Sequence, residues 1–314
     1  MTSMPDLADC QARTAMTTMK RAGLALAALA ALSCAGVLSA SAQEANAAPE
    51  QKIPERQSWS FAGPFGIYDT AQLQRGYKIY REVCSACHSM ALLRFRNLAD
   101  PGGPEFTESQ VQALAAEYKF QDGPNEQGEM YERTGRPADP FPKPPFANEQ
   151  QARLTFSGAF PPDMSVLAKA RSYERYGWFP ADIVYGIWNI LTQYQTQGPD
   201  YISALLQGYK EAPKGFDLQP GQSYNEIIPG NRIAMPPPLI QDGQVEYPKG
   251  PDGKPVVPET VAQYSKDVAA FLMWAAEPRL DQRKRIAFEV MLYLLAFAGL
   301  MYFVKKKVWA GAHA

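Results

Sequence analysis

Apolar positions recur at helical spacing in two stretches of this chain and run almost unbroken in two others. Leu73, Tyr77, Tyr80 and Cys84 repeat at intervals of three and four residues, which predicts a helix starting near Asp69 or Thr70. Asp69 as N-cap with Gln72 three residues later predicts a capping box. Gly76 in the middle of this helix costs about 1 kcal/mol relative to alanine, which predicts a close crossing with another helix. Val261, Tyr264, Val268, Phe271, Leu272 and Ala275 form the second periodic face, predicting a helix from Thr260 to Glu277 that Pro278 closes. The two helices are expected to cross, with Gly76 near Trp274 and Phe271.

The unbroken runs have a different meaning. Lys20-Arg21 precedes an Ala- and Leu-rich run from Ala22 to about Ala40, followed by Ala40-Ser41-Ala42 and Ala45-Asn46-Ala47. This is the pattern of a secretory signal peptide covering residues 1–42, with position 47 as a second possible cut. Ile286 to Val304 is a nineteen-residue apolar run broken only by Glu289 and followed by Lys305-Lys306-Lys307. Its length is near the minimum for a bilayer core, predicting a transmembrane helix over 281–305 and a cytoplasmic tail over 306–314.

Between these landmarks the periodicity is weak. Residues 97–132 are acid-rich, predicting a solvated loop and a short helix from Glu108 to Tyr118. Gly135 to Pro162 reads as an extended, proline-stiffened loop. Short helices are expected over Asp163–Arg175, Asp182–Tyr194 and Tyr201–Tyr209, and hairpin turns at Asp242-Gly243 and Asp252-Gly253. The chain has 27 prolines, in keeping with long ordered loops.

The formal net charge is −1, which gives no sign of nucleic-acid binding. The four cysteines are Cys10, Cys34, Cys84 and Cys87, and only the last pair lies beyond the signal segment. Cys84-Ser85-Ala86-Cys87-His88 has the spacing of covalent c-type haem attachment. Each thiol can form a thioether to a haem vinyl group, and the imidazole can reach the iron. On a helical stretch Cys84, Cys87 and His88 fall on one face. A zinc site would need further Cys or His ligands that the exported part lacks. A redox dithiol of the thioredoxin kind would need a βαβ neighbourhood, and this one is helical.

His88 is then one axial ligand. The only other histidine, His313, lies beyond the membrane helix, so the second ligand is expected to be a methionine. Met90 is too close to His88 in sequence, and Met273 belongs to a helix core. Met130 is the remaining methionine outside proline-rich surroundings. Met164 follows Pro161-Pro162-Asp163 and Met235 precedes Pro236-Pro237-Pro238. Either stiffened loop could hold a thioether. A His/Met pair raises the potential and suits electron transfer rather than oxygen chemistry.

Over roughly residues 60–310 the chain resembles cytochrome c1, the haem subunit of the cytochrome bc1 complex. The resemblance rests on Arg81 to Met90 around the haem motif and on Pro161-Pro162-Asp163-Met164-Ser165. It rests also on Asn231-Arg232-Ile233-Ala234-Met235-Pro236-Pro237-Pro238-Leu239, and on Asp267 to Pro278 followed by Arg283-Lys284-Arg285. It implies a mainly α, class-I cytochrome-c-like haem domain with long loops over 48–280, plus one C-terminal transmembrane helix. It implies one covalent haem c with Met235 as the second axial ligand, Arg171 paired with a haem propionate, and Tyr201 near the haem. It further implies one-electron transfer from a Rieske iron–sulfur protein to a soluble cytochrome c, in a complex with cytochrome b that acts as ubiquinol–cytochrome c oxidoreductase. The quinol site is expected on another subunit, and the haem domain in the periplasm of a bacterial inner membrane. Acidic residues such as Glu105, Glu108, Glu117, Asp122, Glu126 and Glu129 would steer a basic cytochrome c. The sequence departs from the family at Phe156-Ser157-Gly158-Ala159, and residues 172–199 look like an insertion. The other readings are a stand-alone membrane-anchored shuttle, or a haem sensor or peroxidase-type protein with an open iron site.

Overall fold

The computed structural model describes residues 51–311 apart from 145, 147, 174–178 and 192–196. The signal peptide with Cys10 and Cys34, His313 in the tail, and Trp178 and part of the 172–199 insertion lie outside the described residues.

Eight helices carry the described chain: α1 (Thr70–Glu82), α2 (Glu108–Ala116), α3 (Glu149–Thr155), α4 (Leu167–Ala170), α5 (Phe179–Leu191), α6 (Gln197–Gln207), α7 (Val261–Ala276) and α8 (Leu280–Trp309). Two small antiparallel pairs join them: β1 (Lys119–Asp122) with β2 (Tyr131–Thr134), and β3 (Ser223–Tyr224) with β4 (Arg232–Ile233). The architecture is mainly helical, as the sequence predicts.

Helix α7 is the hub, packed against α1, α6 and α4. Its residues from Tyr264 to Ala275 are almost all buried, including Met273 and the predicted apolar face except Val261, which is half-buried. A helix contacted on several sides is apolar nearly all round. Thr260 caps it, accepting a hydrogen bond from the Gln263 N–H. Helix α1 begins as predicted, with the Asp69 side chain accepting from the Gln72 N–H at 3.2 Å. The reciprocal half of the capping box does not form, because the Gln72 amide turns to buried Asp267 at 3.1 Å.

The α1–α7 crossing is as close as the mid-helix glycine suggests. A Cβ on Gly76 would lie 2.2 Å from the Asp267 carbonyl oxygen and 2.6 Å from the Phe271 Cβ. Trp274, expected at this crossing, instead packs against Gly103. Asp267 is fully buried and takes hydrogen bonds from Arg75, Gln72, Tyr247 and Gln263. A buried carboxylate is tolerated only with such partners.

Several expectations need correction. The Gly135–Pro162 loop contains α3, capped by the Asn148 side chain. The acidic stretch contains the unpredicted β1–β2 hairpin, tied down by Arg133 to Asp122 and Asp139. The Asp163–Arg175 helix shrinks to the single turn α4, because Asp163 is spent on side-chain bonds described below. Asp252-Gly253 makes its turn, closed by a bridge between Lys249 and Pro255. Asp242-Gly243 makes no hairpin; the Asp242 carboxylate accepts from the Val261 N–H and supports the start of α7.

Candidate haem site

The Cys-x-x-Cys-His segment follows directly from the end of α1. The helix stops at Glu82, and Cys84–Ala86 form a tighter 3₁₀ turn. The N–H groups of Cys87 and His88 both donate to the Cys84 carbonyl, at 3.1 and 3.0 Å. The two cysteines and the histidine therefore share one turn, although the α-helix itself has ended. Ser85 Oγ donates to the Arg81 carbonyl at 2.7 Å and fastens the turn to the helix. Tyr80 Oη donates to the His88 carbonyl at 3.3 Å. Cys84 is buried and Cys87 half-buried, and neither is in a disulfide. Burial pushes the Cys84 thiol up to about 12.

His88 is buried, and its Nδ1 lies 2.8 Å from the Pro162 carbonyl oxygen. A carbonyl only accepts, so Nδ1 carries the proton and the Nε2 lone pair is available to a metal. Burial lowers the imidazole's proton affinity, against the opposing pull of Pro162 and Asp163. Burial thus favours the neutral ring, the form that ligates.

Asp163 locks this arrangement from the other strand of chain. Its Oδ2 accepts from Ser89 Oγ at 2.7 Å and from the Ala91 N–H at 2.8 Å, and its Oδ1 from the Ser165 N–H at 2.9 Å. The Met164 N–H donates to the Ser89 carbonyl and the Leu92 N–H to Ser165 Oγ. Residues 88–92 and 161–165 are thus joined into one rigid frame. Burial works against the Asp163 charge, but the bonds from Ser165, Ala91 and Ser89 outweigh it and hold the carboxyl below its ordinary value. The sequence alone showed Pro161-Pro162-Asp163 only as a stiff loop. Apart from Ser165, its partners lie more than seventy residues away, so no local signal marks them.

Met235 is half-buried against the main core, just after β4. Buried Asn231 makes the turn into this strand at φ 56°, donating from Nδ2 to the Asn225 carbonyl. Tyr209 Oη donates to the Met235 carbonyl at 3.1 Å, a contact that spacing did not reveal. Cys84, Met164 and Tyr201 all belong to the core against which Met235 packs. Arg171 is exposed at the end of α4, and its charge acts on the hydroxyl of buried Tyr201. Met90 and Met273 are buried core residues, and Met130 is exposed on the β1–β2 hairpin.

The donor set fits a haem attached through this motif: two thiols on one turn, an imidazole with Nε2 uncommitted, and a thioether on a separate stiffened segment. Among the described residues no group of three or more His, Cys, Asp or Glu converges as a metal cluster. The acidic side chains are partly engaged, Glu117 with Arg81 and Asp122 with Arg133, while Glu108, Glu126 and Glu129 are exposed.

A helical domain carrying this site, followed by one apolar helix of membrane length, is a haem-bearing electron-transport protein with a C-terminal anchor. The chain belongs to the cytochrome c1 family, whose model matches residues 59–312. It is 46% identical over 258 residues to cytochrome c1 of Blastochloris viridis, covering 82% of this chain and 86% of that protein. It is 36% identical over 295 residues to cytochrome c1 of Rhodospirillum rubrum, covering 89% and 96%. It is 52% identical over 299 residues to cytochrome b/c1 of Bradyrhizobium diazoefficiens, covering 94% of this chain and 41% of that longer protein.

Proposed function

We propose that the chain holds one haem c through thioethers at Cys84 and Cys87, with His88 and Met235 as axial ligands, and relays single electrons in a cytochrome bc1 complex. The observation that carries this reading is the 2.8 Å bond from His88 Nδ1 to the Pro162 carbonyl, which leaves Nε2 for iron. Bound there, the haem supplies one-electron redox chemistry. The protein's part is to bind, orient and exclude water. Pro162 fixes the imidazole and Tyr80 the His88 backbone, and the Asp163 frame keeps Pro162 in place. The Met164 N–H is tied to the Ser89 carbonyl within this frame, which supports Met235 as the second ligand. Tyr209 steadies the Met235 backbone. In this reading Arg171 neutralises a haem propionate, and its electrostatic influence on Tyr201 supports the pairing of the two near the haem.

In this reading the electron comes from a Rieske iron–sulfur protein and goes to a soluble cytochrome c. Quinol oxidation belongs to other subunits, cytochrome b among the partners. The signal peptide over residues 1–42 directs residues 48–280 to the periplasm, and α8 anchors them in the bacterial cell membrane. Purification in mild detergent tests the assembly: a b-type haem and a Rieske protein should accompany the chain, and a monomer without them would overturn it. The ligand assignment is tested by Met235→Leu. The far-red methionine–iron band should vanish and the potential should fall sharply, since loss of the thioether removes what stabilises the reduced iron. Persistence of the band would reject Met235.

A further inference from the structure

The loop of residues 60–67 sits against the first turns of α8, and its contacts are specific. Lys284, buried on α8, donates from Nζ to the Phe61 carbonyl at 2.6 Å and the Gly66 carbonyl at 3.0 Å. The Tyr68 N–H points to Asp281 Oδ2 at 3.4 Å. The loop is folded so tightly that a Cβ on Gly66 would lie 2.0 Å from the Ala62 carbonyl oxygen. This fixed loop carries two large apolar side chains outward: Phe65 is 78% exposed and Ile67 63%. The Phe65 ring meets the Phe288 ring edge to face, with centroids 6.0 Å apart.

The height of Phe288 decides what these side chains meet. The apolar run Ile286–Val304 measures about 28 Å along a helix, close to the thickness of a bilayer's hydrocarbon core. Phe288 is two residues inside that run, about 3 Å below its upper end. A side chain in contact with Phe288 therefore reaches the level where headgroups give way to acyl chains. Arg285 stands three residues above Phe288, about 4.5 Å nearer the headgroups, where its side chain is suited to lipid phosphates. Aromatic side chains at this depth are favoured.

We infer that the 60–67 loop is a second membrane contact, with Phe65 and Ile67 inserted into the lipid interface beside α8. The head domain then rests on the bilayer at two points, one a helix and one a loop, and Lys284 holds the two together. The occupant of the Phe65–Phe288 groove is lipid, because the groove continues the lipid-facing surface of α8.

Spin labelling of the full haem-loaded chain, in its membrane complex in phospholipid nanodiscs, tests this. Nitroxides are placed through Phe65→Cys, through Leu295→Cys as a mid-span reference and through Leu92→Cys, an exposed site on the head domain. An unsubstituted chain gives the background. The label at position 65 should be relaxed more by oxygen than by a water-soluble nickel chelate, on the side of position 295. Preference for the chelate, as at position 92, would overturn the inference. So would protection from both reagents, which would mean that protein covers the loop.

Discussion

Asp163 shows how much of the site depends on a residue that is not expected to touch the haem. It accepts three hydrogen bonds, two of them from backbone N–H groups. Removing the acceptor leaves half-buried donors unmet, at about 1–3 kcal/mol. Asp163→Ala should therefore lower the unfolding free energy of the haem-loaded protein by about that amount, read from urea denaturation. An unchanged midpoint would mean that the frame is held without it. The Cys84–His88 turn was plain in the sequence because all of its chemistry lies within five residues. Pro162 and Tyr209 were not, because a carbonyl and a hydroxyl that orient a ligand leave no spacing to read. Met235 and Met164 could not be separated by spacing either. The structure ties their backbones to different partners, Met164 to the Ser89 carbonyl and Met235 to the Tyr209 hydroxyl.

At the scale of elements, α1 and α7 were legible because each has a cap and a long apolar stripe. Gly76 even announced their crossing. The β1–β2 hairpin was hidden because its four-residue strands lie half-exposed and carry no clean alternation. It is held by charge instead. Arg133 holds the Asp139 carboxyl down at about 2, mainly through side-chain hydrogen bonds. A carboxylate depressed below its unfolded value, about 3.9, contributes its full stability above that value. The contribution is lost as pH falls toward 2. Amide exchange of residues 119–122 and 131–134 should therefore accelerate selectively between pH 4 and pH 2. Exchange that rises equally throughout the domain would contradict this role for Arg133.

At the scale of the whole molecule, the proposed electron delivery to a basic cytochrome c makes the exposed acidic side chains a matter of encounter. Exposed Glu126 and Glu129 lie at the hairpin loop, where Lys would reverse the local field. The rate of electron delivery to a basic cytochrome c should fall as salt rises, and Glu126→Lys with Glu129→Lys should slow it further at low salt. A rate indifferent to both would place docking elsewhere. The α1–α7 crossing has another consequence, one of timing. The cysteine turn is made early in the chain, yet the helix that closes the core over α1 comes about 190 residues later, as the Arg75–Asp267 pair marks. Contacts so far apart in sequence form late. In the folded chain Cys84 is buried, and burial pushes its thiol up to about 12, far from the reactive thiolate. On the proposed thioether attachment, Cys84 therefore has to react before the domain closes around it.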